Sequence, residues 1–96
     1  MSETPNREMS RLTEVRNEAD AILSAAQRAP TNPLWQQLSG EEQLAITLAR
    51  DRLGVIKQGE DITAIRNAIH GLDQVTRRYS ELMIEAAVQS VRRGGN

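Results

Sequence analysis

His70 is the only histidine of the chain, and its neighbours offer the one arrangement that suggests acid–base chemistry. Asp73 follows it by three residues and Arg77 by seven, so a helix would place all three on one face. A general base oriented by a carboxylate has this form, and so does a solvated helix face with intrahelical pairs. No Ser or Cys nucleophile lies beside His70, and the sequence contains no glycine-rich phosphate loop. The sequence therefore predicts no catalytic residue and no enzyme.

Composition excludes several classes of ligand. The 96 residues contain no Cys and only one His, so we expect no metal and no cofactor. The formal net charge is −1, from 12 basic and 13 acidic residues, which argues against a nucleic-acid partner because phosphates require a basic surplus. No apolar run is long enough to cross a membrane, and the polar first residues lack the apolar core of a signal peptide. These features predict a cytoplasmic protein.

Apolar residues at spacings of three and four predict helices over about residues 5–28, 40–58 and 62–93. The second helix has the clearest start, because Ser39 and Glu42 form a capping box. Gly59 is expected to end it in a left-handed conformation. The join to the third helix is short, so these two helices must be antiparallel neighbours. The sequence thus predicts an all-α fold, an antiparallel three-helix bundle with a long third helix, as a single domain over residues 1–96.

The second helix has a wide apolar face, and glycines interrupt two of the helical patterns. A wide face suits packing against two neighbours. Gly54 and Gly71 should each cost about 1 kcal/mol relative to Ala; close helix packing is one explanation for them, and the absence of any special role is the other. The apolar face comprises Ala45, Ile46, Leu48, Ala49, Leu53 and Ile56.

An irregular linker, residues 30–39, joins the first two helices and carries the only tryptophan. Asn32 followed by Pro33 is typical of a cap and a first helical residue, which predicts one short helical turn. The apolar side chains of this turn, Trp35 among them, are expected to pack against the bundle. A binding role for Trp35 is the alternative.

The predicted third helix outruns the second by about 21 Å at 1.5 Å per residue. Its last turns are apolar on more than one face, and the first helix can cover only one stripe of them. Monomers rarely expose such a patch without a partner. We predict a protein-interaction surface here, with homodimerisation through helix three as one use of it; contact with the first helix alone is the alternative. The surface comprises Leu82, Met83, Ile84, Val88 and Val91.

Two segments, Arg16–Leu23 and Leu38–Glu42, resemble in order and spacing parts of the C-terminal lid of heat shock protein 70 chaperones. The first is similar to the late part of the long lid helix, and the second to the turn and acidic cap that begin the next helix. Lys57–Asp61 is similar to the short link of a glycine and two acids between lid helices. Tyr79–Gly94 most resembles the iron–sulfur-assembly branch of the family, and the resemblance covers about residues 10–94.

The resemblance implies a role without chemistry. In this family an N-terminal domain hydrolyses ATP, a β-sandwich binds peptide, and the lid closes over the sandwich and slows peptide release. The chain would then be the distal helical part of a chaperone lid that acts in protein folding and the stress response. Its partners would be the other domains of the chaperone and its polypeptide substrates. The alternative is a free-standing helical adaptor or homodimerisation module.

Overall fold

Four α-helices account for most of the chain. The computed structural model describes residues 3–94, with α1 at Glu3–Arg28, α2 at Gly40–Ile56, α3 at Ile62–Val75 and α4 at Arg77–Gly94. Two short 3-10 helices, Ala29–Thr31 and Pro33–Gln37, connect α1 to α2. No strand occurs in residues 3–94. The predicted all-α fold is confirmed.

A single apolar core joins α1, α2 and α3, which all pack against one another as an antiparallel bundle requires. Each of the three helices contributes at least one fully buried side chain, and burying one such side chain contributes about 1.5–3 kcal/mol. Spacings of three and four within each helix bring these side chains to one face. The largest of them are Val15, Ile46, Leu53, Ile65 and Leu72.

Side-chain caps set the starts of α2 and α3. The Ser39 hydroxyl accepts a hydrogen bond from the Glu42 N–H at 3.1 Å, and the Ser39 N–H donates to the Glu42 carboxylate at 2.8 Å. This is the predicted capping box. The Asp61 carboxylate caps α3 by accepting from the Ala64 N–H at 3.1 Å. Each cap satisfies a backbone donor that the helix itself leaves unpaired.

The turn after α2 is held by α1 and not by a left-handed glycine. No residue in the described part of the chain has a left-handed backbone, so the expectation for Gly59 is wrong. Its N–H donates to the Ile56 carbonyl at 3.0 Å, which closes a tight turn. Arg16 donates from Nε to the Lys57 carbonyl at 3.0 Å and from Nη2 to the Gly59 carbonyl at 2.7 Å. A cation suits these terminal carbonyls, because they carry the negative end of the helix dipole.

The linker folds onto the bundle as predicted. Asn32 caps the Pro33–Gln37 turn by accepting from the Leu34 N–H at 2.9 Å. Trp35 and Leu38 are buried, and Leu34 is partly buried against the core. The linker is thus part of the packed structure, and Trp35 is a core residue.

The third helix predicted over 62–93 is divided at Thr76 into α3 and α4, which together cover the predicted range. The Thr76 hydroxyl donates to the carbonyls of Leu72 at 2.9 Å and Asp73 at 3.1 Å. The backbone hydrogen bonds continue across this residue, since the Thr76 N–H also donates to the Leu72 carbonyl at 3.0 Å. Beyond this residue, α4 packs on the Pro33–Gln37 helix.

Candidate interaction surface

An aromatic contact positions α4. The rings of Tyr79 and Trp35 meet edge to face, with centroids 6.2 Å apart and planes at 72°. This geometry is a favoured one for aromatic pairs. Tyr79 and Leu82 are both buried, so the first two turns of α4 are fixed against the linker and the core.

One of the five predicted surface residues is buried, and the other four are exposed. Leu82 is only 5% exposed and belongs to the core, so its inclusion in the surface is wrong. It lies on the same side of α4 as Tyr79, and that side faces the linker. The other four predicted residues are accessible. Their exposures are Met83 40%, Ile84 63%, Val88 46% and Val91 74%.

Met83 differs from the other three accessible residues in its surroundings. It lines a cavity of about 200 Å³ between the end of α1 and the α3–α4 junction, together with Ile22 and Ala25. Ile84, Val88 and Val91 are spaced by four and three residues, so they form one line along α4. We call these three residues the α4 stripe. It lies on the opposite side of the helix from Tyr79 and Leu82.

Charged residues follow one flank of the α4 stripe. Glu85 and Arg92 are seven residues apart, close to two helical turns, and both are exposed. Arg78 and Glu81 form an ion pair nearby at 3.9 Å. Exposed ion pairs of this kind contribute less than about 1 kcal/mol to stability. The flank therefore carries both signs of charge within reach of a docked helix.

A second exposed apolar line lies on α2 and was not predicted. Leu48 was expected on the packed face of α2, but it is 59% exposed and aligns with Leu44 and Val55. The reason is that α2 contacts α1 and α3 through Ile46 and Leu53, on the other side of the helix. Beside it runs an open groove of about 490 Å³, lined by Leu48, Ala49, Arg52, Ile56, Ala64, Asn67, Ala68 and Gly71.

The glycines inside the helices do not mark close packing. At Gly54 and Gly71 no heavy atom outside the local helix backbone lies within 4 Å of the position that a Cβ atom would take. Close approach of a neighbouring helix therefore does not explain either glycine.

The group around His70 is open to solvent. His70, Asp73 and Arg77 are all exposed, so none of them is held in the water-excluding site that acid–base catalysis uses. In the part of the chain that the structure describes, no cluster of three or more His, Cys, Asp or Glu residues could hold a metal. Over the same residues, no helix combines the length and apolarity needed to span a membrane.

Comparison with known proteins finds sequence similarity to one class of chaperone. It is 31% identical over 83 residues to the chaperone protein HscA homolog of Tolumonas auensis, covering 86% of this chain and 14% of the relative. It is 35% identical over 83 residues to the HscA homologs of Pseudomonas paraeruginosa and Pseudomonas aeruginosa, covering 86% of this chain and 13% of each. No protein-family model matches the chain. No solved structure matches it significantly.

These relatives confirm the resemblance to heat shock protein 70 chaperones, because HscA is a member of that family that acts in iron–sulfur assembly. The chain spans about one seventh of the length of the first relative. The similarity therefore concerns one part of such a chaperone.

Proposed function

We propose that this chain, similar over most of its length to a segment of the HscA chaperones, acts as the helical lid subdomain of a heat shock protein 70 type chaperone. It would help to close the peptide-binding domain and so regulate release of the polypeptide substrate during protein folding. The observation that carries the proposal is the 83-residue match together with an all-helical bundle. Its partners would be the other domains of the chaperone and its polypeptide substrates.

The packing of the bundle suits a lid that moves as a unit. α1 is 26 residues long, and Leu12 is the first of its described side chains that packs on the core. Met9, just before it, is exposed. Arg16 and the Lys57–Asp20 ion pair join α1 to the α2–α3 turn. A force on the start of α1 would reach the whole bundle through these contacts, as closure of a rigid lid requires.

The lid role needs no active site in this chain, and we propose that it is not an enzyme. The isolated chain should neither bind nor hydrolyse ATP. Calorimetric titration with Mg-ATP should show no heat of binding at millimolar nucleotide, and micromolar affinity would overturn the non-catalytic assignment. We also propose a cytoplasmic location and a part in the stress response, since both follow from the chaperone role.

A chimeric chaperone tests the lid role. In the Pseudomonas aeruginosa HscA homolog, the region aligned with this chain would be deleted or replaced by it. Dissociation of a fluorescent peptide from the nucleotide-free or ADP-bound protein would then be followed by anisotropy. We expect the deletion to speed dissociation and the graft to slow it again. A graft that folds, as judged by circular dichroism, yet releases peptide as fast as the deletion contradicts the proposal.

A free-standing adaptor or homodimerisation module is the second candidate function. The observation that favours it is the α4 stripe, which the rest of the described chain leaves exposed. An adaptor would use Met83 and the stripe as its docking surface. The chimera distinguishes the two functions, because an adaptor would not restore slow peptide release.

A further inference from the structure

We propose that the α4 stripe pairs with the same stripe of a second copy of this chain, with the two α4 helices antiparallel. The inference goes beyond the lid role and rests on the second candidate function, for which it names the partner and the arrangement. Ile84 and Val91 are 63% and 74% exposed, and Val88 between them is 46% exposed. The stripe faces away from the core, because Tyr79 and Leu82 occupy the opposite side of the same helix. A partner can thus reach it without any rearrangement of the bundle.

The charged flank identifies the partner as a second copy. Val88 lies three residues after Glu85 and four before Arg92, so it is close to the midpoint between them. Both charged residues stand on the same flank of the stripe, since seven residues make almost two turns. When two identical helices pack antiparallel, each flank meets the same flank of the other helix. A two-fold axis near Val88 therefore sets Glu85 of each copy beside Arg92 of the second copy.

The same residues argue against parallel pairing. In a parallel pair the charged flank of one helix meets the opposite flank of the other. On α4 that opposite flank carries Ser80 and Ala87, which offer no charge to Glu85 or Arg92. Only the antiparallel arrangement pairs both charged residues, and it forms two Glu85–Arg92 contacts, one at each end of the interface. It is the self-complementary form of contact that a two-fold dimer requires.

The small area of contact between the two α4 helices limits the affinity of the dimer. From Met83 to Arg92 the helix rises about 15 Å at 1.5 Å per residue. Two helices in contact over so short a length bury less than the roughly 1,200 Å² at which stable interfaces begin. The dimer is therefore weak and reversible, with a dissociation constant in the micromolar range or above. Added salt weakens it further, because the ion pairs at its edge are exposed.

Analytical ultracentrifugation of the whole chain from micromolar to millimolar concentration tests the pairing. The wild type should change from monomer to dimer across this range, and the double variant Ile84→Glu, Val88→Glu should stay monomeric. Arg92→Glu should raise the dissociation constant about tenfold, equivalent to 1.4 kcal/mol. Combining it with Glu85→Arg should return the constant to within about threefold of the wild type, a difference of roughly 0.7 kcal/mol.

Arg66→Glu is the matched control, because it makes the same charge change at an exposed position of α3. It should leave the dissociation constant unchanged. A wild type that is monomeric throughout overturns the proposal, and so does a dimer that persists in the double variant. A dimer that Arg92→Glu leaves intact, or that the charge exchange fails to restore, overturns the antiparallel arrangement. None of these results bears on the lid role, which is read from peptide release.

Discussion

Replacing Trp35 by Ala removes the side chain that joins the linker to α4. Trp35 is buried, and its ring meets Tyr79 edge to face at 6.2 Å. Truncating a buried Trp or Phe to Ala costs about 3–5 kcal/mol. The upper half of this range is expected here, since the aromatic pair adds about 0.5–1.5 kcal/mol beyond the area it buries. Because α4 is fixed through this contact, its first turns should lose order as well.

The loss is large on the scale of a chain this size. Domains are stable by about 0.05–0.15 kcal/mol per residue, which gives roughly 5–14 kcal/mol for 96 residues. For domains of 60–100 residues, each 1 kcal/mol lowers the midpoint of thermal unfolding by about 4–8 °C. Trp35→Ala should therefore lower the midpoint by at least about 16 °C. Circular dichroism at 222 nm measures this directly and does not depend on the deleted fluorophore.

Gln36→Ala is the matched control, because Gln36 lies next to Trp35 in the same 3-10 helix and is exposed. It should leave the midpoint within about 4 °C of the wild type, a difference of less than about 1 kcal/mol. If Trp35→Ala shifts the midpoint no more than Gln36→Ala does, the linker is not part of the core and the account of how α4 is positioned is wrong.

Two further substitutions test other parts of the fold. Gly54→Ala should stabilise α2 by about 1 kcal/mol, because a Cβ atom there meets no neighbour within 4 Å; a lower thermal midpoint would show a hidden contact. Arg16→Met should reduce the free energy of unfolding by about 1–2 kcal/mol in urea titrations, since it removes charged hydrogen bonds to the end of α2. Arg11→Met, on an exposed position of the same helix, should change it little, and equal losses in the two variants would refute the role given to Arg16.

The parts of the fold that depend on local interactions are predictable from the sequence. The capping box of Ser39 and Glu42 acts over three residues, so the residue types alone reveal it. The buried positions of α1 and α3 follow from spacings of three and four. The packing of Trp35 is predictable too, because a short apolar turn between two helices has little to contact except the bundle.

The parts that depend on distant contacts are not predictable in this way. The apolar period runs through Leu72, Thr76 and Tyr79 without interruption, so it gives no sign that the helix is divided at Thr76. The contact between Arg16 and Lys57 spans 41 positions, and no local pattern marks it.

The interaction surface on α4 is also only partly predictable from the sequence. Leu82 and Ile84 are both large aliphatic residues on α4, yet one is buried and the other exposed. Which apolar side of α4 faces inward depends on the direction that the helix takes after Thr76. That direction is set by tertiary contacts, above all between Tyr79 and Trp35. The sequence can therefore locate an apolar segment there but cannot divide it into core and surface.

The rate of peptide release from the grafted chaperone, with and without Leu72→Asp in the graft, tests the lid role most directly. Leu72 is completely buried, so a charge at that position should unfold the bundle, while the length and most of the composition of the graft stay unchanged. The native graft should slow peptide dissociation relative to the deletion, and the Leu72→Asp graft should not. Equal dissociation rates for the native graft, the unfolded graft and the deletion would contradict the proposal that this chain is a chaperone lid.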